Sequence, residues 1–238
     1  MDIHLAFGDL VLTPTLVTSL IVSVLLMLLF IICGVMISKA DPTKPAKGIV
    51  GLLEMAYRAV EAFIRDAVGD KASRYISFIF TVASYLALAN LMGLFGFLPP
   101  TTEFSITLSL TLVTLTYILL AGVVAKGLGG YLKDTYLGDV PWLMWFLFVP
   151  INLIGELSKI ISLSFRLFGN IMSGALLLGL VVQLFAWLFN LLPAIGWLTT
   201  LILPFLNAYF DIFAGLMQTF IFCTLTMVWI KGATEREA

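Results

Sequence analysis

Between Leu10 and Ser38 the chain carries no charged side chain, and the same holds for Tyr75 to Leu98 and for Phe104 to Ala125. A helix needs about 20 apolar residues to cross about 30 Å of hydrocarbon, so each run is long enough to span a bilayer. Composition agrees: 61% of the 238 residues are hydrophobic and 11% charged, against about 45–50% and about 25% in soluble domains. The sequence therefore reads as an all-α integral membrane protein, one membrane domain over 1–238 with the lipid bilayer as its solvent.

The other segments are read around those runs. Lys39 to Arg74 is polar and opens with the breaker cluster Asp41-Pro-Thr-Lys-Pro45. Over 48–68, Leu52, Met55, Val60 and Phe63 are set against Glu54, Arg58, Glu61 and Arg65. This pattern predicts an amphipathic helix at the membrane surface or against a partner, with the stripe at 52–65 as a packing face. Pro99-Pro100 closes the second span at Leu98, and Lys126 to Asp139 reads as a Gly-rich polar loop.

Residues 142–190 are unusual. Ile151 to Asn190 reads as continuous helix bounded by Pro150 and Pro193, about 60 Å long and roughly twice the hydrocarbon thickness. It must tilt, lie partly in the membrane plane, or break, and Gly169, Gly174 and Gly179 offer places to bend. A short loop around Pro193 and Gly196 turns the chain into a second long helix, 199–230. The expectation is a pair of long, tilted, antiparallel helices and about five crossings in all.

Basic residues orient the chain. None precede Lys39, and 39–74 holds Lys39, Lys44, Lys47, Arg58, Arg65, Lys71 and Arg74. The 99–103 loop and the 191–198 turn hold none, whereas the loop after the third span has Lys126 and Lys133 and the tail has Lys231 and Arg236. The alternation puts the N-terminus outside and the C-terminus in the cytoplasm. The same scatter offers no basic patch for nucleic acid. Cys33 and Cys223 lie in apolar runs and read as small hydrophobes. With no paired Cys or His ligand set, neither a metal nor a cofactor is expected. Gly127-Leu-Gly-Gly130 lacks the Lys-Ser/Thr of a phosphate loop. His4 reads as inert. Tyr131, Tyr136 and the five tryptophans read as interfacial belt residues.

Two stripes interrupt the grease. No Asp, Glu, Lys, Arg or His stands between Arg166 and Asp211, and a guanidinium keeps its proton. At a bilayer-centre helix it costs about 2.5–3.5 kcal/mol on insertion scales. On a helical wheel, Gly155, Lys159, Ser162, Asn170, Ser173 and Leu177 fall within about 40° of it, with Gly169 slightly outside. Such a small and polar face lets another helix approach closely. On the last helix Asn207, Asp211, Gly215 and Gln218 share one face. Intramembrane carboxylates tend to line ion pathways. Arg166 is therefore a transport residue or a cation paired with Asp211 or Glu156. Asp211 is a relay or a helix-helix hydrogen bonder, and Glu156 with Lys159 an ion pair near the inner interface. Asn170 and Gln218 are pathway residues or interhelical glue.

Ser164-Phe-Arg-Leu-Phe-Gly-Asn-Ile171, Gln218-Thr-Phe-Ile-Phe222 with Leu225-Thr226, Asn90-Leu-Met-Gly-Leu94 and Pro150-Ile-Asn-Leu153 resemble the a subunit of the F-type ATP synthase membrane sector. The resemblance spans most of the chain; the first 35 residues match only in character. It implies a stator beside a rotating c-subunit ring, with b-type peripheral stalk subunits and the rest of the F1Fo complex as partners. Two aqueous half-channels would meet the ring at offset positions. Arg166 would separate them and favour the ionised form of each passing rotor carboxylate, and Ser162, Gly169, Ser173 and Lys159 would face the rotor. Asn170, Gln218 and Asn207 would line the pathway, with Asp211 as the outer titrating group and Glu156 as an inner one. Several relatives carry a Glu where this chain has Ala175, which suggests that the outer group has moved to Asp211. The resemblance implies no enzyme activity of the chain alone. A proton-coupled secondary transporter is the alternative, but no internal repeat of the usual kind relates the halves. A bacterial plasma membrane is the expected location, with a thylakoid membrane as the alternative.

Overall fold

The computed structural model describes residues 3–4, 11–38, 48–137, 141–191 and 202–235. The breaker cluster at 41–45, the turn at Pro193 and Gly196, and the tail from Arg236 lie outside them. In lipid every backbone polar group must be satisfied within the chain, which leaves helices as the economical solution for long apolar runs. Five helices among the described residues are long and apolar enough to cross: α1 Pro14–Ser38, α3 starting at Ile76, α4 Phe104–Lys126, α6 starting at Trp145, and α7 Ile202–Thr234. The surface helix α2 is Ile49–Val68 and the short α5 is Leu128–Leu132. Near the N-terminus a two-residue antiparallel pairing sets Ile3 opposite Leu12 and His4 opposite Val11.

Three sequence expectations are corrected. Helix α3 ends at Leu91 and passes into a 3-10 turn, Met92–Phe95, before Pro99. The supposed loop after α4 is largely helical: Gly127, at a φ of 77°, starts α5, and a π-helical turn follows at Lys133–Leu137. A positive φ is what glycine supplies there without strain. Pro150 does not begin α6, which runs Trp145–Leu191 with Pro150 inside it. Proline lacks only one donor and is tolerated in membrane helices whose freed carbonyl is satisfied nearby. Of the three options left open for this segment, a break is not the one taken: α6 runs through Gly169, Gly174 and Gly179, and its 47 residues make it about 70 Å long. Glycine permits a bend but does not enforce one.

The chain forms two compact units. One comprises Met1–Leu26, Ala83–Thr107 and Phe165–Ile221; the other comprises Met27–Val82, Leu108–Ser164 and Phe222–Ala238. In the first unit Thr15, Thr18, Val22 and Leu26 of α1 are buried at helical spacing, while Leu20, Ile21 and Val24 are exposed. Buried Asn90 of α3 accepts a hydrogen bond from Thr101 Oγ1 at 2.7 Å and donates to the Gly215 carbonyl of α7 at 3.2 Å. The lack of a side chain at Gly215 lets the two backbones come this close. Ser19 and Tyr85 share a 2.7 Å hydroxyl contact, and Thr13 and Thr15 both donate to the Glu103 carboxylate.

In the second unit α2 packs through Val50 and Ile64, and Tyr57 meets Phe80 edge-on at 5.7 Å. Leu52 and Met55 are exposed, so the stripe expected to pack is not the one this chain covers; the apolar arc of α2 is wider than its own contact. Phe78 stacks on Tyr117 at 3.8 Å. Tyr131, expected in an interfacial belt, is buried with its ring against Gly122. Cys33 and Cys223 are buried free thiols.

A Cβ at Gly215 would lie 2.8 Å from the Asn90 Cβ, whereas one at Gly34 meets nothing within 4 Å. Gly215→Ala should therefore destabilise the assembled protein by about 1–3 kcal/mol through overpacking. Gly34→Ala should be neutral or stabilising, because a helix interior prefers alanine. Thermal inactivation of the purified membrane complex measures both.

Candidate functional site: a charged helix face and two polar cavities

Arg166 lies on α6 with its side chain exposed, and so do Ser162, Ser173 and Leu177. Phe165, Leu176 and Leu180 are exposed too, and Gly169 and Asn170 are half-buried. Among the described residues Arg166 makes no ion pair. The alternative in which Asp211 or Glu156 neutralises it is therefore not what the chain adopts. Ser173 Oγ donates to the Asn170 carbonyl at 2.9 Å, which is how a hydroxyl is satisfied on a helix with no water.

The stripe on α7 turns inward. Gly215 and Gln218 are buried, and Asn207 and Asp211 are half-buried. Asn170 Nδ2 donates to Gln218 Oε1 at 3.2 Å, and Gly174 faces the Phe210 ring. As α6 advances from 170 to 174, its partner on α7 retreats from 218 to 210, so the two helices run antiparallel in this unit. Of the polar stripe on α7, Gln218 is thus the member closest in register to Arg166, one turn away, and Asp211 lies further along. A π-helical turn, Phe210–Ala214, carries Asp211; such turns are frequent at functional sites. Asp211 borders a cavity of about 240 Å³ together with Gly93, Thr102, Asn170, Gly174 and Asn207. Asp211 Oδ2 and Gln218 Nε2 are buried without a hydrogen-bond partner in the chain. A cavity of this size has room for water beside Asp211.

A second cavity, of about 320 Å³, belongs to the other unit and is lined by Lys126, Tyr131, Asp134, Glu156, Lys159 and Glu235 among others. Lys159 Nζ donates to Glu156 Oε1 at 2.6 Å, and Lys126, only 6% exposed, pairs with Asp134 at 3.2 Å. Burial pushes the Tyr131 phenol above its usual range; a hydrogen bond with Thr135 opposes this, while Glu156 and Tyr136 add to it. The phenol stays neutral and a donor at physiological pH. Sequence reasoning missed Lys126, Tyr131, Asp134 and Glu235 as company for Glu156. It also missed Asn90, Gly93 and Thr102 as company for Asp211. Only the motif Asn90-Leu-Met-Gly93 gave a signal, and it did not say what it would touch.

The fold and these cavities define a polytopic membrane protein with an unpaired permanent cation on one helix face and water-sized polar spaces within its bundle. The family described as ATP synthase A chain matches residues 16–231. ATP synthase subunit a 2 of Acaryochloris marina is 32% identical over 185 residues, covering 77% of this chain and 70% of that protein. ATP synthase subunit a of Helicobacter hepaticus is 35% identical and that of Helicobacter pylori strain Shi470 is 32% identical, each over 188 residues, 78% of this chain and 76% of the relative. The chain belongs to the ATP synthase A chain family. It is a multi-pass membrane subunit of the rotary ATP synthase, part of its ion-translocating Fo sector, and not an enzyme on its own.

Gln218 separates stability from transport. Its Nε2 is already unpaired, but its Oε1 accepts from Asn170, so Gln218→Met, of similar shape, should cost about 1–3 kcal/mol of thermal stability through the orphaned Asn170 amide. If the amide serves the ion pathway, the same variant should pump several-fold more slowly. Heat inactivation and ATP-driven ion uptake in vesicles read the two effects separately.

Proposed function

We propose that the Arg166 face of α6 lies against a rotating ring of c subunits, and that this chain is the stator past which ions are passed to and from the ring. The observation that carries this reading is the exposed, unpaired guanidinium of Arg166 on an otherwise greasy surface. Turned to lipid it would cost several kcal/mol. Turned to a partner that presents an acid at the same depth, it gains a counter-charge that none of the described residues supplies. Ser162, Gly169, Ser173 and Lys159 would share that face and let the partner approach closely.

The two cavities serve as the half-channels in this reading. Asp211, with Asn207 and Asn170, lines the outer one, Gln218 is bonded to that Asn170, and Glu156 lines the inner one. An ion entering one cavity neutralises a rotor carboxylate, rides the ring, and leaves by the other. Arg166 favours the ionised carboxylate as it passes, because an opposite charge at close range stabilises the charged form. It also bars cations from crossing directly. Lysine would be a poor substitute, since a desolvated ammonium can lose its proton. Stalk subunits of the b type and the rest of the F1Fo complex complete the assembly. The basic loops orient the C-terminus to the cytoplasm of a bacterial cell.

Arg166→Ala in the reconstituted complex should abolish ATP-driven ion pumping while ATP hydrolysis by the soluble sector persists. Normal pumping by that variant, measured as vesicle acidification with a sodium-free control, removes the arginine from the mechanism. Asp211→Asn should slow pumping at least several-fold in an otherwise assembled complex, and full activity would leave Asp211 a packing residue.

A further inference from the structure

We propose that Gly93 is the positioning residue for the Asp211 carboxylate, the side chain missing from the 3-10 turn that follows α3 forming the recess in which that acid sits. The proposal rests on the reading of Asp211 as an ion-pathway acid and adds the element that fixes where the acid is held. A Cβ built on Gly93 would lie 2.6 Å from Asp211 Oδ2 and 2.7 Å from both Cγ and Oδ1. All three carboxylate atoms therefore fill the space of the absent methyl. The glycines at 96, 169 and 179 meet nothing within 4 Å, so the fit at 93 is not a general property of these helices.

The recess is held in register. Asn90 of α3, one turn before Gly93, donates to the carbonyl of Gly215, one turn after Asp211 on α7. Thr101 in turn holds the Asn90 amide. The α3–α7 spacing is thus set next to the acid by a hydrogen bond and not by the acid itself. On α7 the π-helical turn at Phe210–Ala214 carries Asp211. With Oδ2 buried against Gly93 and making no hydrogen bond in the chain, the glycine contact and the π turn are what hold the carboxylate at the cavity wall beside Thr102, Asn170 and Asn207. Any side chain at 93 must evict it.

The test uses the intact reconstituted complex and four variants. Gly93→Ala should assemble and lower ATP-driven pumping at least about tenfold, since misplacing a working group by about 1 Å costs rates of that order or more. Asp211→Gly should pump poorly. The exchange Gly93→Asp with Asp211→Gly returns a carboxylate to the same recess from the opposite side, and pumping should recover several-fold over Asp211→Gly alone, which a merely structural role for Gly93 would not produce. If Gly93→Ala fails to assemble, Gly93→Ala with Asp211→Gly should assemble again, because the only group in the way is gone. Normal pumping by Gly93→Ala alongside poor pumping by Asp211→Gly overturns the inference while leaving the role of Asp211 intact. So does an assembly defect of Gly93→Ala that persists without the carboxylate. Full pumping by Asp211→Gly instead overturns the underlying reading of Asp211.

Discussion

A guanidinium that cannot give up its proton, set on an apolar helix surface without a counter-ion of its own, governs how this molecule can be arranged. Arg166 is tolerable only if something outside the chain completes it. Much of the surrounding sequence is consistent with leaving that surface free for a partner. Serine and glycine near Arg166 keep the face low, and the Ser173 hydroxyl is bound to its own helix. The acids that could neutralise Arg166 are engaged elsewhere: Glu156 with Lys159, and Asp211 against Gly93.

Close packing in the first unit follows a different rule, subtraction. In a membrane there is little hydrophobic gain in bringing helices together, so contacts depend on short approach and on hydrogen bonds. Gly215 gives Asn90 a carbonyl to bond, and Gly93 gives Asp211 a place to lie. The buried threonines of α4, at 107, 111 and 114, show the same economy. Thr107 and Thr114 bond carbonyls of their own helix at 2.9 Å and so present methyl groups to their neighbours. Those two hydroxyls are satisfied within α4.

The parts of this arrangement that a sequence reader can see are those written in a single helix. The charge-free runs announce α1, α3 and α4 because lipid imposes length and apolarity together. The face around Arg166 and the stripe from Asn207 to Gln218 are legible from helical spacing alone. What escapes is written between helices. Gly93 has no side chain to form a pattern, and its meaning appears only when Asp211 arrives from more than a hundred residues away. Lys126, Tyr131 and Asp134 looked like loop because glycines surround them, yet glycine at 127 serves to start a helix. Pro150 looked like a boundary because in water it usually is one.

The separation of Arg166 from Asp211 is itself informative. Phe210 packs at Gly174, eight residues beyond Arg166, which is about 12 Å along α6. At an effective dielectric of about 20, unit charges 12 Å apart interact by about 1.4 kcal/mol, against about 4 kcal/mol at 4 Å. The nearer distance would fix an internal ion pair and silence both groups. An offset of about 12 Å along the helix leaves each able to feel the other's charge state without being captured by it. A chain that only needed to bury one positive and one negative side chain would have brought them together. Holding them a few helical turns apart, one on an open face and one in a recess beside a cavity, is the arrangement expected where each group must remain free to meet a mobile ion or a moving acid.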